Sequence, residues 1–450
     1  MLRSTFAKIA AVSLFALGGM LYFMFINTSL LVVAGTVAAN TTTTDIAADS
    51  SAVDFHVPLS TDLDSTNPVK WNTLSGKMPQ LVGHRGEKSF MPEHTLGSYW
   101  QAALEGVDFI EPDLGLTKDG HLVVNHNEFL GQNTDVARIP ELAYLRSNKT
   151  WIDDTDGKPV TVVDEWFIGD MTLEQIKKLR VNQASGYPWR PQHFNGYFEV
   201  LTFEEYLQIV RNLTIDLGRS FGVIPELKSP SLYNRDRPYQ RYFEDRAILT
   251  LEHYGWANIT KWINRDQHQD LNLSPNLRPL GNATLGPSVW QSFDLDCARY
   301  LSQHTDVPVV ALVERLPWAF TPKGLDRISE FAKILSPWKD LFVAGPQAFF
   351  QANNVTWDSA EIQKMGGFVD AKSLVQEAHK RGIELSPYTF YDSHQDMGYI
   401  CKKQQQAISN SLCPGDRKQE LFYFFDLGVD YLFVENIVEA SSLRQEYGSK

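Results

Sequence analysis

No glycine-rich phosphate loop, no zinc-spaced set of cysteines and histidines and no serine-nucleophile elbow occurs in this chain, so the chemistries built on them lack their residues. Basic runs interleaved with aromatics are missing too, and the net charge is −13. A nucleic-acid backbone would be repelled more than attracted. That acidity leaves an anionic phosphate ester open as a ligand, because a bound cation inverts the field at one site. Cysteine is scarce, with 3 in the chain. Cys401 and Cys413 flank a polar loop and read as a small disulfide in an oxidising compartment, which leaves Cys297 as a buried, apolar-like residue rather than a nucleophile.

What is present points to a folded body behind a targeting segment. Hydrophobic residues make up 43% and charged residues 21% of 450, enough to bury a core in one large domain or two ordinary ones. Arg3 and Lys8 precede an apolar run from Ile9 to Ile26 and a second from Leu30 to Ala39. Residues 1–39 are therefore either a signal peptide cut after Ala39 or an uncleaved membrane anchor. Asn40, Asn148, Asn212, Asn258, Asn272, Asn282 and Asn354 each open a glycosylation sequon. As a set they fit a secreted, lumenal or anchored protein whose folded part is on the non-cytosolic side. Residues 40–79, polar and without apolar periodicity over most of their length, read as a stalk or linker.

From Gln80 onward, short apolar runs alternate with amphipathic stretches, the rhythm of a parallel sheet with crossover helices. The expected strands are Leu81 to His84, Val107 to Leu116, His121 to His126, Phe221 to Lys228, Val289 to Phe293, Val307 to Val313, Asp340 to Ala344, Gly382 to Tyr388 and Val429 to Val434. One of the early pair is an excursion. Helices are expected at Leu96 to Leu104, Leu173 to Arg180, Phe203 to Leu213, Tyr239 to Tyr254, Leu325 to Leu335, Ala371 to Arg381 and Lys418 to Leu427. So many β-then-α units favour a TIM-like (β/α)8 barrel over residues 80–445, with a doubly wound open sheet as the alternative. Between about 128 and 200 the rhythm breaks into Pro, Gly, Asn and Asp, as an insertion near the mouth of a barrel would.

Within that rhythm lie residues able to carry chemistry. In Glu111-Pro112-Asp113, strand geometry puts both acids on one face, where a hard divalent cation would satisfy them; solvated acids in a turn around Pro112 are the plain alternative. Glu226 and Lys228 share a face at the end of another strand, as an active-site acid and cation or as an ordinary edge pair. His84 and His126 each close a strand and suit a base and acid pair, or simply structural hydrogen bonding. Arg85 would fork onto phosphate oxygens or pair with Glu93.

The order of these motifs is more specific than any one of them. His84-Arg85-Gly86, Pro92-Glu93-His94-Thr95, Glu111-Pro112-Asp113, Thr117-Lys118-Asp119-Gly120, His126 and Pro225-Glu226-Leu227-Lys228 together resemble the glycerophosphodiester phosphodiesterase family, most closely its longer, periplasmic-type bacterial members. The likeness runs from Gln80 to about Leu443 and takes in Thr134-Asp135-Val136, Gln291-Ser292-Phe293-Asp294 and Pro387-Tyr388-Thr389. It implies one Ca²⁺ or Mg²⁺ ion on Glu111, Asp113 and Glu226, with His84 as base and His126 as acid, and Arg85 and Lys228 facing phosphate. It also implies a small glycerophosphodiester as the partner, cleaved to sn-glycerol 3-phosphate and an alcohol. Trp290, Tyr388, Phe390 and Tyr391 could contact the glycerol or a choline-like head group, with core packing as the commoner use of such aromatics. Two readings compete with it: lysophospholipase D action on lysophospholipids, aided by membrane association through the N-terminal segment, and a non-catalytic surface barrel. The chain departs from the family pattern at His126-Asn127, where His-Asp is common, and at Phe433-Val434-Glu435-Asn436, where Thr-Asp and proline are usual.

Overall fold

Runs of apolar residues with no exposed position, such as Val309–Val313 and Ile334–Pro337, form the central sheet; strands buried on both faces belong to parallel sheets covered by helices. The computed structural model describes residues 70–271, 273–392 and 417–449, with the backbone alone of Phe25–Ile26 and Ser29–Leu30. The chain divides into two units, Met1–Asp62 and Leu63–Lys450. All the side chains discussed below belong to the second.

Parallel pairing joins Tyr431–Val434, Gln80–Gly83, Phe109–Ile110 and Gly222–Val223 in one ladder. A second runs through Asp113–Leu116, Glu226–Leu227, Trp290–Ser292, Val309–Val313, Ile334–Pro337 and Glu384–Leu385. The ladders are halves of one ring. The strands 109–116 and 222–227 are each interrupted near a proline, Pro112 and Pro225, which brings no backbone donor. Their carbonyls still accept, Pro112 from the Glu226 amide at 2.9 Å and Pro225 from the Gln291 amide at 3.0 Å. On the far side the ring closes through Asp430 N to Leu385 O at 2.9 Å and Phe390 N to Phe433 O at 2.8 Å. The result is the TIM-like (β/α)8 barrel, filled by Val82, Phe109, Ile224, Val310, Ile334 and Phe433 among others.

The crossover helices start where the sequence provides caps. Thr95 and Thr202 make capping boxes for Leu96–Leu104 and Phe203–Leu217, and Asp294, Thr321 and Asn436 cap Leu295–His304, Pro322–Ser329 and Ile437–Gly448. Each side-chain acceptor satisfies an amide that the helix leaves open.

Between 128 and 200 lies an antiparallel hairpin, Ser147–Ile152 with Pro159–Glu165, standing on a small core of Phe129, Trp151 and Phe167. Arg190 fastens this region to the barrel. Its guanidinium donates to Asp392 at 3.0 and 3.2 Å and to Glu435 at 2.6 Å, and lies 3.8 Å over the Tyr187 ring.

Several expectations need correction. His121 to His126 shortens to Leu122–Val124, an antiparallel strand on Asp113–Leu116, and is the excursion. The strand expected at Asp340 to Ala344 is instead a helix, Leu341–Ala344, and the barrel strand is Ile334–Pro337, at the end of an expected helix. A four-residue apolar run carries too little periodicity to separate the two. Trp71 lies inside the expected linker, yet is buried with its ring 5.5 Å from Phe425 and 4.9 Å from Tyr447. The barrel body therefore includes at least that part of 40–79. Cys297 is buried. The apolar N-terminal segment beyond the short pairing at 25–30, and Asn40, Asn272, Cys401 and Cys413, lie outside the described residues. Among those described, no helix is long and apolar enough to cross a membrane.

Because Trp71 fills a pocket between two helices of the barrel wall, Trp71→Ala is expected to cost about 3–5 kcal/mol, the range for emptying a buried tryptophan site. A fall in the urea midpoint at constant slope measures it.

Candidate active site

The C-terminal ends of the barrel strands surround a cavity of about 560 Å³ lined by His84, Arg85, Glu111, His126, Glu226 and Lys228, with the insertion as part of its wall. Asp113, the remaining candidate, is buried beside them, paired in register with Glu226 on the next strand. All seven candidates therefore come together in one place. The solvated-turn reading of Glu111-Pro112-Asp113 fails, since both acids are 1% exposed.

Local backbone geometry places each group. Arg85 adopts φ +64°, rare for a residue with a side chain and typical of functional sites. Its amide thereby donates to Glu111 Oε2 at 2.7 Å. The guanidinium reaches Glu93 Oε2 at 3.0 Å and Asp113 Oδ2 at 3.4 Å, so Arg85 pairs with Glu93 without leaving the cavity. Gln291 Nε2 donates to the other Glu111 oxygen at 3.2 Å. Lys228 Nζ sits 3.0 Å from Glu226 Oε1 and 3.7 Å from Asp113 Oδ1.

Crowding of like charge sets the acidities. Burial, then Asp113 and Glu226, push Glu111 well above the usual carboxylate range. Glu226 is pushed up to about 8 by burial and by Asp113, with Lys228 opposing. Burial works against ionised Asp113 as well, but Lys228, the His94 hydrogen bond and His126 hold it well below the ordinary range. One carboxylate thus keeps its charge at the expense of its neighbours.

The two histidines are buried and favour the neutral form. His84 is pushed down to about 3 by burial, Lys88 and Arg85, against the pull of Glu435, whose Oε1 lies 3.5 Å from His84 Nδ1. His126 is lowered by burial, Arg85 and Lys228, and its Nδ1 bonds Asn127 Oδ1 at 2.9 Å. Asn127 Nδ2 donates to Gln132 Oε1 at 3.0 Å, which turns its carbonyl oxygen toward the ring. His126 Nδ1 is then the protonated nitrogen.

Four groups of this site were not singled out from sequence. His94 bonds Asp113 Oδ2 at 2.8 Å through Nε2 and the Tyr99 hydroxyl at 2.9 Å through Nδ1. Lys88 and Arg190 hold Glu435 at 2.7 and 2.6 Å. The unusual Glu435-Asn436 was visible as a departure, but nothing along the chain ties it to Lys88 and Arg190. Of the aromatic candidates, Tyr388 and Tyr391 line the cavity together with Phe293, Trp338 and Phe433. Trp290 and Phe390 do not: Trp290 is buried with its Nε1 bonded to Thr305, and Phe390 packs against Phe424. Alternation along a strand sends successive side chains to opposite sides of the barrel wall.

The donors fit a hard divalent cation. Glu111, Asp113 and Glu226 offer oxygens on adjacent strands and His94, Glu111 and Asp113 bring ligand atoms within 4.8 Å of one another. Buried carboxylates crowded this way are what such an ion relieves. Both His94 nitrogens are already engaged, so His94 steadies Asp113, as outer-shell partners of ligating carboxylates do.

Positions 84–261 match the Glycerophosphoryl diester phosphodiesterase family. A glycerophosphodiester phosphodiesterase of Haemophilus influenzae is 30% identical over 341 residues, covering 72% of this chain and 82% of the relative. Glycerophosphodiester phosphodiesterase GDPD6 of Arabidopsis thaliana is 29% identical over 327 residues, 72% of this chain and 77% of its own. Among solved structures, an Oleispira antarctica phosphodiesterase in complex with the product sn-glycerol-3-phosphate aligns with TM-score 0.46 and 15% identity, over 83% of this chain and 99% of that one.

Glu226 generates a pH test on protein without added divalent ion. Its folded-state acidity near 8 lies above the ordinary value near 4.3, so its contribution to stability is complete below that value and is lost as pH rises toward 8. Glu226→Gln cannot ionise. Relative to wild type, the variant's urea midpoint is expected to improve steadily between about pH 4.5 and 8; a constant difference contradicts the assignment.

Proposed function

The chain belongs to the glycerophosphodiester phosphodiesterase family, and from that premise we propose that it hydrolyses glycerophosphodiesters to sn-glycerol 3-phosphate and an alcohol, using His84 and His126 with a Ca²⁺ or Mg²⁺ ion on Glu111, Asp113 and Glu226. The observation that carries this reading is the convergence of those residues with Arg85 and Lys228 on one cavity at the C-terminal ends of the barrel strands, where active sites of this fold sit. When bound, the ion neutralises non-bridging phosphate oxygens and makes phosphorus more electrophilic. Arg85 and Lys228 bring fixed positive charge to the same oxygens.

His84 serves as the base. It is neutral at pH 7, and Glu435 lies on its Nδ1 side, ready to stabilise the imidazolium that forms when Nε2 takes a proton from the attacking hydroxyl, of water or of the glycerol itself. His126 serves as the acid. With Nδ1–H held by Asn127, the acid is the imidazolium, which carries a second proton on Nε2 and gives that proton to the departing alkoxide. Its partner is a neutral amide in place of a carboxylate, so this cation is poorly stabilised and the proton leaves readily. The His126-Asn127 departure keeps the ring oriented and removes a charge.

We place the barrel on the non-cytosolic side of a membrane or outside the cell, on the strength of the N-terminal segment and the sequons. Asn148, Asn258, Asn282 and Asn354 are exposed, as attachment there requires. The Nδ2 of Asn258 donates to Asp306, a bond that attachment would have to break.

Glycerophosphocholine supplied with Ca²⁺ or Mg²⁺ is expected to yield sn-glycerol 3-phosphate and choline, and a chelator to stop the reaction. His84→Ala and His126→Ala should each lower kcat by about 10²–10⁴-fold. Intact turnover in Glu111→Ala or in His84→Ala would remove the assigned site. Absence of turnover with either ion, on glycerophosphocholine and on lysophosphatidylcholine, would favour a non-catalytic barrel.

A further inference from the structure

The cavity has a second group of charges that the hydrolytic site does not use. Glu128, Asp153 and Asp154 line it from the insertion, and Glu314 lines it from the end of the strand Val309–Val313. Asp294, the cap of the helix Leu295–His304, adds its charge to Asp154. Cations nearby are already engaged. Arg315 pairs with Glu314 at 3.3 Å and Asp156 at 3.5 Å, and Lys228 with Glu226 at 3.0 Å. Burial, then Asp294, Glu128 and Asp153, push Asp154 up to about 7. Glu314 is raised by burial, with Asp153 adding to it and Arg315 opposing.

Aromatic faces border the same space. Phe293, Trp338, Tyr388 and Tyr391 line it, and Tyr388 meets Phe293 and Trp338 edge-on at 5.9 and 5.6 Å between ring centres. Tyr388 is 9% exposed, and its hydroxyl is buried with no hydrogen-bond partner among the described residues. Tyr388 shares the cavity with Glu314 of the acidic group and Glu226 of the hydrolytic site, and burial, then the charges of those two residues, hold its hydroxyl well above the usual range. A buried hydroxyl in a cavity wall without a partner is one that a ligand completes.

We propose that this part of the cavity is a subsite for a cationic head group, an ammonium or quaternary ammonium carried on the alcohol that leaves the phosphodiester. The carboxylates supply opposite charge, the rings offer π faces to a cation that cannot donate hydrogen bonds, and the Tyr388 hydroxyl donates to an oxygen of the diester lying between the two groups. Zwitterionic diesters are then better substrates than those with neutral or anionic head groups. The inference rests on the phosphodiesterase reading and adds a specificity that the residues His84 to Lys228 of the shared motif do not contain.

The test is kcat/KM of the full chain for glycerophosphocholine and glycerophosphoethanolamine against glycerophosphoglycerol and glycerophosphoinositol. Lysophosphatidylcholine is run in parallel to separate a lipid source of the same head group from a deacylated one. A preference of about tenfold or more for the cationic pair is expected, carried mainly by KM. Asp154→Asn combined with Glu314→Gln should reduce that ratio severalfold by raising KM for the cationic pair. Free choline should compete with glycerophosphoglycerol, more weakly in the double variant. Equal kcat/KM across the diesters, or a ratio and choline inhibition unchanged in the double variant, overturns the subsite and leaves the hydrolase reading standing. Failure of the wild type to cleave any of them overturns the hydrolase reading instead.

Discussion

Glu111, Asp113 and Glu226 are buried side by side on adjacent parallel strands, and the arrangement around them exists to make that tolerable. Burial and mutual repulsion favour the neutral form of Glu111 and Glu226, while Asp113 is held ionised by its neighbours. Here Arg85, Lys228 and His94 approach from neighbouring elements, Arg85 through a left-handed backbone that also turns its amide onto Glu111. The two prolines at the strand breaks belong to the same solution. They remove donors from the ladder at the level where side chains rather than backbone must meet the acids.

A second ionic centre ties the insertion to that site. Glu435, just past the last strand Tyr431–Val434, is fully buried and held by Lys88 and Arg190, one from the loop after the first strand and the other from the insertion. Burial opposes its charge, but Lys88, Arg190 and His84 keep it ionised. Lys88 in turn is lowered to about 8 by burial and Arg85, with Glu435 opposing. Because His84 faces the same carboxylate, the residue that closes the first strand and the region that walls the cavity share one partner. A buried charge that loses one partner is costly, so the insertion is held in place by the chemistry it covers.

Much of the site could be read along the chain because chemistry and strand ends coincide in this fold. His84, Glu111, Asp113, His126, Glu226 and Lys228 stand in motifs whose order is specific, and each closes or follows an apolar run. The barrel was legible for a related reason, since fully buried strands leave uninterrupted apolar stretches. Where such a run was short, as at Ile334–Pro337, strand and helix could not be told apart, and which aromatics reach the cavity, as Tyr388 does, and which pack in the core, as Trp290 does, stayed open.

By itself the sequence determined which groups can bind phosphate, hold a hard cation or move a proton, and the alternation that closes a parallel barrel. These depend on residue type and short-range spacing, which a chain carries in any conformation. Only the tertiary structure decided that Asn127 orients His126, that His94 steadies Asp113, that Glu435 lies beside His84 between Lys88 and Arg190, and that Asp153 and Asp154 of the insertion share a cavity with Glu314. Each of those pairings is a contact, most between residues far apart in sequence, made when distant elements pack against one another, and burial gives it its energy by removing the water that would otherwise screen the charges.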